Sequence, residues 1–256
     1  MLTVLPLPAF NDNYLWLLVR GREAAVVDPG DAAPVRHALH RHKLRLSAIL
    51  VTHHHGDHVG GLLELKAATQ ATVFGPAHED IAGVDRRLRG SERIDVLGTE
   101  FRVIDVPGHT AGHIAFFAAA ESPPLLFCGD TLFGCGCGRL FEGTPGQMLT
   151  SLDALAALPR STLVHCAHEY TLSNIRFALT VEPGNAALQE RAERDKSTRE
   201  RGEPTIPSTI GLELATNPFL RCDVSEVRAA VTLRTLDQVD RTEIFASLRR
   251  MKNSFG

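Results

Sequence analysis

An apolar, strand-like run, Leu46-Ser47-Ala48-Ile49-Leu50-Val51, opens directly into Thr52-His53-His54-His55-Gly56-Asp57-His58. Four imidazoles and a carboxylate crowd into the six positions from His53 to His58. Polar groups placed at the end of a buried strand are costly unless something binds them. Borderline-soft divalent cations prefer imidazole nitrogen and carboxylate oxygen, so a metal centre is the economical explanation; the alternative is a solvated polar loop. His53 and His55 lie two apart and His58 three further on. A loop leaving a strand with that spacing turns its first two imidazoles toward one ion and its last two groups toward another.

Three later segments repeat the form of an apolar strand closed by a polar ligand. Val106-Pro107-Gly108-His109 is one, Phe127-Cys128-Gly129-Asp130 the second and Val164-His165-Cys166-Ala167-His168 the third. A rigid sheet aims side chains at a common point in this way. The assignment that follows gives one ion His53, His55 and His109, and a second Asp57, His58 and His168, with Asp130 bridging both. A lone His109 or Asp130 is more often a hydrogen-bonded turn residue than a ligand, but the seven groups call for one explanation. His54, His113 and His165 are left as supporting or structural residues, with His54 pointing away from the ions. Asp28, also at a strand end, either orients a ligating imidazole or serves a cap or turn.

The chain of 256 residues is long enough for one large domain or a core with an appendage, and its 44% hydrophobic and 22% charged fractions are those of a globular protein. A net charge of −3, from 27 basic and 30 acidic residues, makes no electrostatic case for nucleic acid or an anionic membrane. The five cysteines are odd in number and form no C-x-x-C pair, which favours reduced thiols in a cytoplasmic protein over a disulfide framework. Cys135 and Cys137 have the softness of metal ligands, but Gly134, Gly136 and Gly138 around them suggest a flexible loop in which cysteine merely fits. The N-terminal segment lacks a basic start and carries Asn11, Asp12 and Asn13, so it reads as two strands around a turn and not as a signal peptide. No run approaches the roughly 20 apolar residues that cross a bilayer. A soluble monomer is expected.

Alternation and apolar runs predict strands over 2–6, 14–20, 24–27, 46–51, 72–75, 102–106, 114–117, 125–128 and 162–164. Helical spacing predicts helices over 32–43, 59–69 and 146–157, while 77–93 resists assignment. Strand groups separated by helices indicate an α+β layered fold with sheet inside and helices outside. His37, His40 and His42 are expected on the exposed face of the first helix. From Leu172 onward no convincing run of strands is visible; helices are expected over 171–181, 186–201 and 240–252, the last capped by Asp240-Arg241-Thr242-Glu243. The change of character predicts a boundary near 168–171, dividing the chain into 1–169 and 170–256.

The pattern His53-x-His55-x-Asp57-His58 with later His109, Asp130 and His168 resembles the metallo-β-lactamase superfamily. Within it, the chain is similar to glyoxalase II, the hydroxyacylglutathione hydrolases. The likeness runs through Phe10-Asn11-Asp12-Asn13-Tyr14, Gly136-Cys137-Gly138-Arg139-Leu140-Phe141-Glu142-Gly143-Thr144 and His168-Glu169-Tyr170-Thr171. It continues through Val181-Glu182-Pro183-Gly184-Asn185 and Asn217-Pro218-Phe219-Leu220-Arg221 to Arg249-Arg250-Met251-Lys252. The metal motif specifies the superfamily; the C-terminal segments point to the family.

The resemblance implies an αββα sandwich followed by a helical domain that helps bind the glutathione part of a thioester substrate. It implies contacts to that moiety from Arg139, Tyr170, Arg249 and Lys252, and glutathione's two carboxylates are natural partners for guanidinium and ammonium groups. Phe141 departs from the tyrosine often found at its position in the family, so an altered contact to the glutathione backbone is expected. The implied reaction is hydrolysis of S-D-lactoylglutathione, with Asp57 and Asp130 in catalytic roles and two divalent ions, zinc first and iron or manganese also compatible. A glutathione-persulfide dioxygenase with a single iron is the nearest rival, followed by another thioester or lactone metallohydrolase and a non-catalytic binding module. The rival dioxygenase needs only one metal, whereas both ligand sets are complete here.

Overall fold

The computed structural model describes residues 2–231 and 240–255. Strands β1 (Thr3–Ala9) and β2 (Asn13–Arg20) form an antiparallel hairpin, and β3 (Glu23–Val27) pairs on the far side of β2. Helix α1 (Ala32–His42) then crosses over to β4 (Arg45–Leu50), which lies parallel to β3. His37, His40 and His42 are exposed on α1. Helices α2 (Gly56–Val59) and α3 (Leu62–Thr69) lead to β5 (Thr72–Pro76) and β6 (Arg86–Leu88), completing a six-stranded sheet in the order β1-β2-β3-β4-β5-β6.

The segment expected as one helix over 59–69 is therefore two. Gly60 and Gly61 separate them, because their backbones lie against Gly30 and Asp31–Ala32; a β-carbon there would come within 2.5 Å and 2.4 Å of main-chain atoms. The first of the two begins inside the histidine cluster, at Gly56.

The second sheet contains β7 (Arg93–Val96), β8 (Thr99–Asp105), β9 (Ile114–Ala118) and β10 (Leu125–Gly129). A small hairpin follows, β11 (Leu132–Phe133) with β12 (Gly136–Cys137), and then α4 (Pro145–Ala156) and β13 (Leu163–Cys166). Helices α5 (Thr171–Val181) and α6 (Ala186–Glu200) precede a two-residue strand β14 (Ser208–Thr209), which pairs with β13. The sheet order is β14-β13-β10-β9-β8-β7, so the chain beyond residue 170 lends a strand to this sheet. Helices α7 (Ile210–Thr216), α8 (Ser225–Val231) and α9 (Arg241–Asn253) complete the described chain. Asp240 caps α9 by accepting from the Glu243 amide at 2.8 Å, as its sequence predicts.

Strand β2 explains the layering. It is buried from Asn13 to Leu18, and a strand with no wet face must be covered on both sides. Leu15 and Leu17 face α1 and α3 together with Val26, Ile49, Val35 and Leu62, whereas Trp16 and Leu18 face the second sheet with Phe101, Phe116 and Phe127. Helices α4, α5 and α9 pack Met148, Leu152, Phe177, Ile244 and Phe245 into the core of that second sheet. The result is the αββα sandwich with C-terminal helices. Its consequence for the site is positional: the loops after β4, β8, β10 and β13 meet at one edge, where the Ile114 amide donates to the Thr52 carbonyl and ties the two sheets together.

Candidate metal centre and substrate cavity

All seven groups singled out in the sequence converge at that edge. Ligand atoms of His53, His55 and His109 lie within 4.8 Å of one another, as do those of Asp57, His58 and His168. In the first group His55 Nδ1 is 3.1 Å from His53 Nε2 and 3.0 Å from His109 Nε2. Nitrogens each about 2.0–2.1 Å from a tetrahedral cation lie about 3.3 Å apart, so this spacing suits one ion. Asp130 stands between the groups. Its Oδ2 is 3.3 Å from His109 Nε2, and its Oδ1 is 3.4 Å from both His58 Nε2 and His168 Nε2. Buried His58 Nε2 and Asp130 Oδ1 have no hydrogen-bond partner within the protein, which is the signature of atoms meant for another ligand.

Groups outside the cluster approach the second ring nitrogen of four imidazoles, and three of them make a hydrogen bond there. His53 Nδ1 meets Thr52 Oγ1 at 3.0 Å, and His109 Nδ1 donates to the Arg139 carbonyl at 2.9 Å. His58 Nδ1 lies 3.1 Å from Asp28 Oδ2, and His168 Nδ1 lies 2.8 Å from Asp12 Oδ1. Such partners set tautomer and ring orientation. Asp28 lies beside the His58 ring as a charge neighbour, and it accepts from the Thr52 amide and hydroxyl, both at 2.7 Å.

Electrostatics separate the two groups. Burial holds His53, His55 and His109 below the ordinary imidazole range, so these three are neutral donors of lone pairs. Burial also opposes charge on His168, but the nearby carboxylates of Asp130, Asp57 and Asp12 outweigh this and push it up to about 10. For Asp130, burial would raise the carboxyl, yet His58 and His168 hold it well below the usual carboxylate range. A hydrogen bond from His168 lowers Asp57 in the same way. The second group therefore carries protons that a cation would displace.

Three further histidines singled out in the sequence lie outside the ligand groups. His54 turns to Glu79, 2.9 Å away, and to Glu142 at 3.4 Å. His113 stacks on His53 at 4.5 Å and accepts from the Asp130 amide at 3.1 Å. His165 is buried between Phe127 and Trp16.

Beside the cluster opens a cavity of about 510 Å³, lined by His109 and Asp130 at its floor and by Arg139, Tyr170, Arg249 and Lys252 among its walls. Arg249 is 5% exposed, donates to the Cys137 carbonyl at 2.8 Å and lies over Phe219. Lys252 Nζ is 3.2 Å from Ser173 Oγ. Tyr170 stacks on His168 at 4.7 Å, so one ring links the cavity wall to the metal cluster. The exposed Phe141 ring meets His55 and His109 edge-on at 5.6 Å and 5.2 Å.

Sequence reasoning missed Phe133, Ser173, Asn174 and Phe255 as cavity walls. Tyr170, Ser173 and Asn174 share an i, i+3, i+4 spacing at the start of α5, a signal that would have found two of them. The loop read as flexible around Cys135 and Cys137 is instead the buried β11–β12 hairpin. Gly134 and Gly136 permit close approach of Thr171 and Asn174, whose atoms would lie 2.4 Å from an added β-carbon. Cys135 donates to the Thr216 carbonyl, and Cys137 lies against Arg249; neither belongs to the cluster.

Residues 10–168 match the family model of the metallo-beta-lactamase superfamily, and residues 169–255 match that of the hydroxyacylglutathione hydrolase C-terminus. A hydroxyacylglutathione hydrolase of Pseudomonas aeruginosa is 58% identical over 260 residues, covering 100% of both chains. The chain belongs to the hydroxyacylglutathione hydrolase family. Among solved structures, ETHE1 from Myxococcus xanthus shares the fold of this family member at 23% identity, with a TM-score of 0.66 over 98% of each chain. TTHA1623 in a di-iron-bound form is 26% identical, with a TM-score of 0.61 over 84% of this chain and 100% of that one. The family matches and the hydrolase relative make this a metal-dependent hydrolase, and the His/Asp cluster fits divalent ions. Among the described residues no helix is long and apolar enough to cross a membrane.

Proposed function

We propose that this chain hydrolyses S-D-lactoylglutathione to D-lactate and glutathione, as glyoxalase II does in methylglyoxal detoxification. His53, His55 and His109 would hold one divalent ion and Asp57, His58 and His168 another, with Asp130 shared; zinc suits the donors first, and iron or manganese also fits. The observation that carries this reading is Asp130, whose two oxygens face one ligand group each. The di-iron-bound neighbour supports two ions over one. When bound, such ions supply Lewis acidity and bring the pKa of water from above 15 down to about 7.

The chain's own residues then have distinct tasks. Arg139, Arg249 and Lys252 present cations to the carboxylates of the glutathione moiety. Phe133, Phe141 and Tyr170 provide apolar walls that orient the thioester and exclude water. Asp57, kept ionised through its contact with His168, would help hold one ion and accept a hydrogen bond from the attacking water. The departing thiol has an ordinary pKa of about 8.5, so it leaves as thiolate without a dedicated acid. The five cysteines are unpaired and buried, which supports a reducing, cytoplasmic setting.

The test is hydrolysis of lactoylglutathione against unrelated thioesters, with metal content determined on the same preparation. Preferential turnover with two ions per chain is expected, and Asp130→Ala should abolish it. Full turnover with a single ion, or oxygen uptake with glutathione persulfide, would overturn the assignment.

A further inference from the structure

The turn between β1 and β2 reaches into the metal cluster from two adjacent residues. Asp12 Oδ1 is 2.8 Å from His168 Nδ1, and Asn13 Nδ2 donates to Asp57 Oδ2 at 3.0 Å. Both targets belong to the same ligand group. The other group is oriented from elsewhere, by Thr52 and by the Arg139 carbonyl.

The turn is also fastened to the strand end that carries His168. The Tyr14 amide donates to the Ala167 carbonyl at 2.7 Å, and the Glu169 amide donates to the Asp12 carbonyl at 2.8 Å. An isolated antiparallel bridge joins Asn13 to His168. These bonds fix the backbone on both sides of the Asp12 side chain, which places its carboxylate beside the His168 ring. Asp57 needs the help most: its side chain is 40% exposed, against 6% for His168 and 1% for His58, so packing alone does not hold its rotamer.

We propose that the Asp12-Asn13 turn is a positioning device dedicated to the second cation: it sets the affinity of the Asp57–His58–His168 group and leaves that of the His53–His55–His109 group unchanged. Asp12 accepts from Nδ1–H of His168, which leaves the Nε2 lone pair aimed into the cluster. Asn13 fixes the Asp57 carboxylate while its Oδ2 remains near His58 and His168. This rests on the two-ion reading, and the experiment separates the two.

The full chain is stripped of metal and titrated with zinc by calorimetry, and its stoichiometry is checked by elemental analysis after dialysis. The unaltered protein should bind two ions in two phases. Asp12→Ala and Asn13→Ala should each weaken the second phase about 10- to 100-fold and leave the first in place. Asp12→Asn should restore most of the lost affinity, because its amide oxygen still accepts from Nδ1–H. Should the buried Asn13 variant fail to fold, Asp12→Ala decides alone, since that side chain is 38% exposed and its loss opens no cavity. If the unaltered chain binds fewer than two ions, the two-ion reading fails. If it binds two, and Asp12→Ala leaves both phases intact or weakens both equally, only the role of the turn is overturned.

Discussion

The backbone of Gly30 rests on that of Asp57 so closely that a β-carbon at Gly30 would lie 1.8 Å from the Asp57 carbonyl oxygen. Two residues earlier, Asp28 Oδ2 lies 3.1 Å from His58 Nδ1. One corner of the chain thus supports two members of the second ligand group. Gly30→Ala should push α2 outward, destabilise the fold by about 1–3 kcal/mol as overpacking does, and lower turnover on the order of 100-fold through misplacement of Asp57. Thermal melts and kcat measure these effects. An alanine variant with unchanged Tm and kcat would show that the contact is not binding on the site.

Lys252 stands half-buried between Phe177 and Phe255, and burial followed by the charges of Arg249, Arg176 and Arg139 lowers its pKa. A cation held under such strain gains by meeting a carboxylate. Lys252→Ala should raise KM for glutathione thioesters about tenfold, the equivalent of one charge-assisted hydrogen bond, with kcat within about twofold. A thioester lacking the glutathione carboxylates should be indifferent to the change. Equal losses for both substrates would remove Lys252 from carboxylate recognition.

Phe141 is 63% exposed and offers no hydroxyl at the mouth of the cavity. Phe141→Tyr should lower KM by a few-fold, since one net hydrogen bond is worth about 0.5–1.5 kcal/mol, and leave kcat alone. Steady-state kinetics at fixed metal content decides it, and an unchanged KM counts against the prediction.

His165 provides a stability signature away from the cluster. Burial pushes its pKa down to about 4, partly opposed by contacts to the Leu126 and Leu163 backbone. The unfolded chain, with an ordinary value of about 6.5, takes up the proton first as pH falls. Stability from this group is therefore complete above pH 6.5, is lost between 6.5 and about 4, and changes no further below that. The total is about 3 kcal/mol. Denaturant unfolding of His165→Phe should be correspondingly less sensitive to pH across that window, and an identical profile would sink the assignment.

Much of the sandwich was legible because burial on both faces leaves a mark in the chain: Leu15-Trp16-Leu17-Leu18 and Ala48-Ile49-Leu50-Val51 have no polar position to expose. The hairpin β11–β12 and strand β14 were not, since two residues carry no periodicity and pair only because a neighbouring edge is there to receive them. Helix α6 is very polar in sequence, yet Arg191 is buried and donates to Asp195, Glu213 and Thr216, with Glu213 in turn accepting from the Cys135 amide. A buried guanidinium is indistinguishable from an exposed one until its partners, here 4 to 25 positions away, fold around it.

The inventory of candidate ligands was a property of the sequence alone, because imidazoles and carboxylates at strand ends follow from local order and residue chemistry. Which oxygen of Asp130 faces which group, that Asp12 and Asn13 reach His168 and Asp57, and that Tyr170 lies on His168 were decided only in three dimensions. The reason is separation along the chain: most of these partners are 21 to 156 positions apart, and the mutual orientation of Tyr170 and His168, two positions apart, is fixed only by packing.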